Sequence, residues 1–169
     1  MKSSRNKRPN IKVPLSQKDI QIEIFALVGV LTCIYMAAHY FPLLPGTIPT
    51  HFGASGRPDA WGPKITLWFM PALNVVLYSL LTIAARFPHV SNYPVKVKEE
   101  NAQRLYRLGV SLLQWTKLWI VWMFTLIERG IVDVAMGKSN SLNPVILFAM
   151  LAVMLGTVAY FTVAMYRAR

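Results

Sequence analysis

Lys117 is the residue whose chemistry is hardest to explain, because it lies inside the otherwise uncharged segment 108–127. A lysine near the middle of a membrane-spanning helix costs roughly 2.5 to 3.5 kcal/mol. No carboxylate lies within the other apolar segments, so the expected neighbours are the neutral Gln114, Asn74 and Tyr78. We hypothesise that Lys117 lies in a polar cavity that can receive an acidic group of a partner or ligand. The alternative is a lysine whose ammonium extends to the membrane surface.

A second set of polar and aromatic side chains lies in segment 42–64. One histidine and one aspartate are too few for a zinc site, so no metal is expected. The set could form a recognition surface. Alternatively, Asp59 forms an ion pair with Lys64 or Arg57 inside the loop, where an exposed pair contributes little stability. The candidate recognition residues are His51, Phe52, Asp59, Trp61 and Lys64.

Enzyme chemistry has no support in the sequence. It contains no Gly-x-Ser-x-Gly, no His-Glu-x-x-His and no paired intramembrane aspartates. The triplet Gly137, Lys138, Ser139 mimics the end of a phosphate loop, but Val132 occupies the position of the required glycine. We therefore expect a protein that is not an enzyme and has no cofactor.

Four apolar segments organise the chain, and each is long enough to cross a bilayer. The sequence predicts an all-α polytopic membrane protein with helices at about 19–41, 65–86, 105–128 and 144–166. Hydrophobic residues make up 54% of the chain and charged residues only 15%, which is unusual for a soluble domain. A basic tail, 1–18, would precede a single four-helix domain, 19–169. No cleaved signal peptide is expected, because the polar leader is long and the first apolar run exceeds a typical signal core.

The distribution of charge predicts the orientation of these helices. The net charge is +11, and thirteen basic residues lie in segments 2–18, 86–107 and 167–169, against four in the other two connections. The positive-inside rule then places both termini in the cytoplasm. Nucleic acid is not expected as a partner, because no aromatic residue interleaves the basic tail as base stacking requires. The expected partner is the lipid bilayer, whose anionic headgroups would attract the tail.

The connections differ in character. The outer connection 42–64 is rich in proline and glycine, yet it holds Phe52 and Trp61, so we expect an ordered extracytoplasmic loop folded back on the helix ends. The connection 87–104 is basic and cytoplasmic, and 129–143 is again outside. Ser16 to Asp19 has the form of a capping box, and Asn143 followed by Pro144 is typical of a helix start. Pro71 is expected to bend the second helix.

Polar residues of the third helix fall on one side when the segment is plotted at 100° per residue. Such a stripe faces protein or water, and it most often marks helix packing, where interhelical hydrogen bonds contribute about 1 kcal/mol each. The alternative is a path for a ligand or ion lined by Asn74, Tyr78, Gln114 and Lys117. The stripe consists of Arg104, Arg107, Ser111, Gln114, Lys117, Thr125 and Glu128.

The outer connection contains a motif of the form LP-x-x-IP-x-HF followed by G-x-x-D-x-W-x-x-K. Its residues are Leu44, Pro45, Ile48, Pro49, His51, Phe52, Gly56, Asp59, Trp61 and Lys64. This motif resembles a bacterial membrane family, the domain of unknown function 1648, which forms the N-terminal domain of SdpI-type immunity and signalling proteins. The resemblance extends from about Ile22 to Ile127 and includes Tyr93, Pro94, Glu100 and Asn101.

The resemblance implies a multi-pass protein of the bacterial cytoplasmic membrane, in a group whose members protect a producer cell from a secreted toxic peptide and signal its presence. Those members carry a second membrane domain, which this sequence ending at Arg169 would lack, so sequestration of a transcription factor is not expected. We expect a non-enzymatic interaction protein whose partner is a secreted peptide or another membrane protein. The alternative is a small transporter or channel-like component. The oligomeric state is left open.

Overall fold

The computed structural model describes residues 8–169, and Lys2, Arg5 and Lys7 of the basic tail lie outside that range. The protein is mostly helical. Short 3-10 turns occur at Phe41–Leu43, Lys64–Trp68 and Pro88–Val90. The main elements are α1 (Gln17–Tyr40), β1 (Thr47–Phe52), β2 (Pro58–Pro63), α2 (Phe69–Arg86), α3 (Glu99–Ala135) and α4 (Pro144–Arg167).

The long helix α3 forms the centre of the bundle. It packs against α1, α2 and α4, and it also contacts β1. At about 1.5 Å per residue, its 37 residues extend roughly 55 Å. Every other helix therefore buries its inner side mainly against α3, and α3 has to supply the groups that face the interior.

The four helices run up and down between two ends. At one end, the tip of the β1–β2 hairpin meets the α3–α4 connection, where Leu142 N donates to Gly56 O at 2.8 Å. At the other end, Tyr106 Oη donates to Pro9 O at 2.9 Å, and Leu105 packs with Met165 and Ala168 near the C-terminus. We call these the hairpin end and the termini end. The connection before α3 lies at the termini end and the connection after it lies at the hairpin end. The helix α3 therefore runs the full length of the bundle.

Three helical segments are long and apolar enough to cross a membrane: Gln17–Leu43, Lys64–Arg86 and Pro144–Arg167. The helix α3 is longer than the predicted 105–128, since it begins at Glu99 and ends at Ala135. It carries the polar stripe, which lowers its hydropathy below that of its neighbours. Apolar composition thus marks the three outer helices and not the central one.

The outer connection differs from the predicted all-α class, because it contains a two-stranded antiparallel sheet. Thr47 pairs with Pro63, Ile48 with Gly62 and Pro49 with Trp61, and the register shifts near His51. Prolines are tolerated in a two-stranded sheet because each strand has an unpaired edge that needs no donor. The prediction of an ordered connection is confirmed, whereas its strands were missed.

The hairpin is anchored on the ends of α1, α2 and α3. Ile48 and Leu44 are buried against Leu67, Ile131 and Val132. The tip turns at Gly56, whose φ of +77° lies in the left-handed region that favours glycine. A Cβ at this position would also collide with the carbonyl of Leu142. The tip is therefore held at a fixed place beside the start of α4.

The predicted helix starts are confirmed. Asp19 Oδ2 accepts from Ser16 N at 2.7 Å and Ser16 Oγ accepts from Asp19 N at 3.3 Å, which closes the capping box. Asn143 Oδ1 caps α4 by accepting from Val145 N at 3.1 Å. The α-helix α2 begins at Phe69, so Pro71 lies in its first turn. A missing N–H costs little there, because the first N–H groups of a helix have no helical acceptor.

The connection between α2 and α3 is also ordered. Tyr93 Oη donates to Pro88 O at 2.9 Å, and the ring packs at 5.6 Å from that of Tyr106. Burial raises the pKa of Tyr93 to about 12, because it disfavours the phenolate. The hydroxyl therefore remains a hydrogen-bond donor over the physiological range, and it fixes the entry into α3.

Candidate functional site

The inner face of α3 carries the polar groups that the stripe predicted. Gln114, Lys117, Thr125 and Glu128 are all buried, the last of them completely. Their spacing of three or four residues, or multiples of it, keeps them on one side of the helix. The interpretation that this stripe faces protein is confirmed for these four residues. The chemistry of the bundle therefore depends on what α1 and α2 place opposite them.

Lys117 forms a buried ion pair. Its ammonium lies 2.5 Å from Glu23 Oε2 of α1, and the lysine side chain is 1% exposed. It also donates to Thr82 Oγ1 at 2.9 Å and lies 4.8 Å from the centre of the Tyr78 ring. The expectation of exclusively neutral neighbours is wrong, and so is the alternative of an ammonium extended to the surface. Lys117 has a carboxylate partner from another helix.

Glu23 is the residue that sequence reasoning missed. It directly precedes the charge-free stretch from Ile24 to Phe41, so a search for carboxylates within that stretch does not find it. The capping box starts the helix at Gln17, which places Glu23 two turns inside α1. Its Oε1 accepts from Tyr78 Oη at 2.6 Å and from Thr82 Oγ1 at 3.3 Å. The helix start, combined with the unexplained lysine, was the signal that could have found it.

A cavity of about 540 Å³ opens beside this ion pair towards the termini end. Glu23, Thr82 and Gln114 form its inner wall, and Lys12 and Arg86 lie nearer its opening. Gln114 is 2% exposed, and its Oε1 accepts no hydrogen bond from residues 8–169. A cavity with Glu23 of the ion pair in its wall is thus present, whereas Lys117 itself does not line it.

A second polar cluster lies further along α3, towards the hairpin end. Asn74 of α2 donates through Nδ2 to Val121 O and to Thr125 Oγ1, both at 3.3 Å. The single hydroxyl proton of Thr125 is shared between two carbonyl acceptors, Gly29 O of α1 at 3.1 Å and Val121 O at 2.8 Å from Oγ1. Asn74 and Thr125 therefore join three helices by hydrogen bonds.

Glu128 lies next to this cluster, beside the thiol of Cys33 from α1. It is 0% exposed, and among the described residues neither of its carboxyl oxygens has a hydrogen-bond partner. The same holds for Asn74 Oδ1. A carboxyl group in such surroundings is expensive to keep ionised. The structure therefore separates the predicted intramembrane residues. Tyr78 and Gln114 lie near the ion pair of Lys117, whereas Asn74 belongs to the cluster beside Glu128, which has no hydrogen-bond partner in the described chain.

The predicted loop residues do not converge on one point. His51 Nδ1 lies 2.5 Å from Asp59 Oδ1 across the hairpin, and both side chains are more than half exposed. Lys64 instead donates to Phe41 O at 3.1 Å and to Leu44 O at 3.4 Å. The expected ion pair of Asp59 with Lys64 or Arg57 is therefore wrong, because Asp59 contacts His51 instead, next to an irregularity in the strand register where His51 pairs with Ala60.

The two aromatic loop residues have different roles. Phe52 packs partly against the buried cluster below the hairpin. Trp61 is 54% exposed on β2. An exposed indole beside the end of an apolar helix is typical of a side chain at the membrane interface.

An apolar cleft of about 460 Å³ separates the hairpin tip from the helices. Thr50, His51 and Phe52 line one wall, and Met123, Ile127 and Leu151 belong to the opposite side. His51 also contacts Asp59, which does not line the cleft. The cleft thus combines an apolar interior with the polar side chain of an exposed histidine.

Comparison with known proteins covers the part of the chain that builds the hairpin. Residues 27–75 match the model of a family described as Domain of unknown function (DUF1648). The recognition of this domain is confirmed for that segment. The segment includes Cys33, the hairpin and Asn74, whereas Lys117 and Glu128 lie beyond it.

One relative is an uncharacterized protein of the archaeon Archaeoglobus fulgidus. It is 40% identical over 53 residues, which are 30% of this chain and 29% of the archaeal protein. The match therefore spans less than a third of the relative's length. No solved structure matches the chain significantly.

Proposed function

We propose that the protein is a non-enzymatic integral membrane protein of SdpI type that binds an amphipathic secreted peptide, as an immunity or sensing component of the bacterial cytoplasmic membrane. The cleft between the hairpin and the helices carries this proposal. Its apolar interior suits the hydrophobic side chains of such a peptide, and His51, which lines the cleft and contacts Asp59, suits a polar one. The match of residues 27–75 to the domain family supports it.

The proposed topology has four membrane-spanning helices with both termini in the cytoplasm. Three helices are apolar enough to span by themselves. α3 runs between the same two ends, since the hairpin meets the α3–α4 connection at one end and Tyr106 meets the N-terminal segment at the other. The positive-inside rule places the basic termini end inside and the hairpin outside.

Cysteine labelling tests this topology. Cys33 is the single cysteine of the sequence, so a Cys33→Ala background has no thiol. Ser55→Cys at the hairpin tip should then react with an impermeant maleimide on intact cells. Asn92→Cys, in the connection between α2 and α3, should react only after the membrane is opened. The reverse pattern would contradict the proposed orientation.

Peptide binding is tested by filling the cleft. Leu151 lines the cleft and Val153 is exposed on α4 without lining it. Leu151→Trp should abolish both the protection of a susceptible strain against secreted amphipathic peptides and the binding of such a peptide to the protein in nanodiscs. Val153→Trp is the matched control and should leave both unchanged. Equal behaviour of the two variants, each inserted at wild-type level, would refute a role for the cleft.

A second candidate function is transport, and a different observation favours it. Buried polar groups extend along α3 from Gln114 to Glu128, a distance of about 21 Å at 1.5 Å per residue. The cavity beside Glu23 and Thr82 opens this series of groups towards the termini end. Flux through reconstituted vesicles that is lost in Lys117→Leu would support transport. Peptide binding without any flux would favour the interaction protein.

A further inference from the structure

The carboxyl group of Glu128 is buried, and it lacks a hydrogen-bond partner among the described residues. Its side chain is 0% exposed. In residues 8–169, Glu128 Oε1, Glu128 Oε2 and Asn74 Oδ1 all lack hydrogen-bond partners. Buried acceptors without partners leave a large desolvation cost without compensation. The thiol of Cys33 lies beside the carboxyl, but it is a weak donor and carries no positive charge. The site therefore requires something that removes the negative charge.

The orientation of the Asn74 amide is settled by its other contacts. Nδ2 donates to the Val121 carbonyl, which can only accept, so an amide turned the other way would place two acceptors together. The single hydroxyl proton of Thr125 is already engaged by the carbonyls of Gly29 and Val121. Neither side chain has a donor left for Glu128. Asn74 Oδ1 likewise stays an acceptor in need of a donor.

The cationic side chains nearest to Glu128 along α3 form ion pairs with other carboxylates. Lys117 is paired with Glu23, about 16 Å along α3 at 1.5 Å per residue. Arg129 lies 2.9 Å from Asp133 Oδ2, and it also donates to Tyr40 Oη at 3.1 Å. The groups that face Glu128 are the titratable Cys33 from α1, the neutral Asn74 from α2 and the neutral Thr125 one turn earlier on α3. No fixed positive charge is among them.

We propose that Glu128 is a proton-binding site inside the bundle, occupied in the folded protein at neutral pH. The neutral carboxyl then donates its O–H to Asn74 Oδ1, and the thiol of Cys33 can donate to the remaining carboxyl oxygen. The thiol of Cys33 contacts both Glu128 and Asn74, and this shared contact is the reason why we place the carboxyl against the amide. One proton from water thus removes the charge and supplies the missing donor. The site is additional to the proposed peptide cleft.

A proton fits this site better than a metal ion. Hard cations require a shell of oxygen ligands, and six to eight are usual for calcium. The cluster offers three free oxygens, because the Gly29 and Val121 carbonyls are already engaged. Ionisable groups within membrane-spanning segments often serve as proton relays. A neutral Glu128 is consistent with that class of site.

Infrared spectroscopy of the full chain in lipid vesicles tests the proposal. At neutral pH the wild-type protein should show the carbonyl stretch of a protonated carboxyl, and Glu128→Gln should remove it. Glu100→Gln, at an exposed position in the first turn of α3, is the matched control and should retain the band. The absence of the band from the wild type, or its persistence in Glu128→Gln, would overturn the proposal.

Two further measurements keep the test decisive should Glu128→Gln fail to insert. Asn74→Ala removes the acceptor, so the carbonyl band should shift to higher frequency, and an unshifted band would overturn the proposed hydrogen bond. The band should also be the same in sodium and in choline buffers. A band present in choline and lost in sodium would assign the site to a metal cation instead.

Discussion

Lys117 and Glu128 lie on the same buried face of α3, yet their surroundings differ in kind. Lys117 meets a carboxylate, a hydroxyl and an aromatic ring from two neighbouring helices. Glu128 lies beside the thiol of Cys33 and has no hydrogen-bond partner in the described chain. Within one bundle, a charge can thus be kept by a counter-charge or removed by a proton. The expected consequences of mutation differ accordingly.

The largest effect is expected from removing the counter-charge of Lys117. Glu23→Leu leaves an ammonium buried without a carboxylate, which should destabilise the protein by about 3 to 5 kcal/mol. Unfolding in mixed micelles measures this loss. The double variant Glu23→Leu with Lys117→Leu should regain most of it, since both charges are gone. A single variant as stable as the wild type would contradict a structural role for the pair.

A smaller effect is expected from removing the lysine itself. Lys117→Leu leaves Glu23, whose side chain is 25% exposed and still accepts from Tyr78 and Thr82. The lost charged hydrogen bond should cost about 1 to 3 kcal/mol. Protein level in the membrane and peptide resistance are the measurements. If Lys117→Leu alters neither, the site has no role beyond packing.

A still smaller change in stability is expected from mutation of the cluster of Asn74 and Thr125, because neutral hydrogen bonds hold it together. Thr125→Val removes the bond to Gly29 O and the acceptor for Asn74 Nδ2. We expect a loss of about 1 kcal/mol, as for interhelical hydrogen bonds in general. Thermal unfolding in micelles measures it, and Thr125→Ser is the control that keeps the hydroxyl. A Ser variant as unstable as Val would point to the methyl group instead.

The smallest effect is expected from the exposed pair on the hairpin. His51→Ala removes the contact to Asp59, but water solvates both groups and an exposed pair contributes little. Stability in micelles should stay within error of the wild type, in contrast to Glu23→Leu. Loss of peptide resistance without loss of stability would indicate that His51 acts in recognition. A clear loss of stability would instead show that the pair holds the hairpin.

Much of the fold could be predicted from local signals. The capping box at Ser16 and the Asn143–Pro144 pair placed two helix starts correctly. The charge-free runs marked the outer helices, because contact with lipid requires apolar side chains. The hairpin was missed, since its prolines and glycines argue against a strand unless the sheet has only two strands and both have free edges.

The candidate sites were less predictable, because the spacing of residues along one helix does not show which side chains of another helix they contact. The stripe on α3 correctly predicted that Gln114, Lys117, Thr125 and Glu128 face the interior, whereas its first member, Arg104, is exposed. It did not predict that Glu23 of α1 meets Lys117, or that His51 rather than Lys64 faces Asp59. Those contacts depend on helix rotation and strand register, which packing of the whole bundle determines.

By itself, the sequence determined which three helices are apolar enough to cross a membrane and which side of α3 carries its buried polar residues, because apolar length and the spacing of polar residues follow from one helix at a time. The tertiary structure decided which buried charge has a partner. Lys117 has one because α1 presents Glu23 at the same depth, and Glu128 has none because α1 and α2 present Cys33 and Asn74 there. Electrostatic energy depends on distances between helices, and only folding sets those distances.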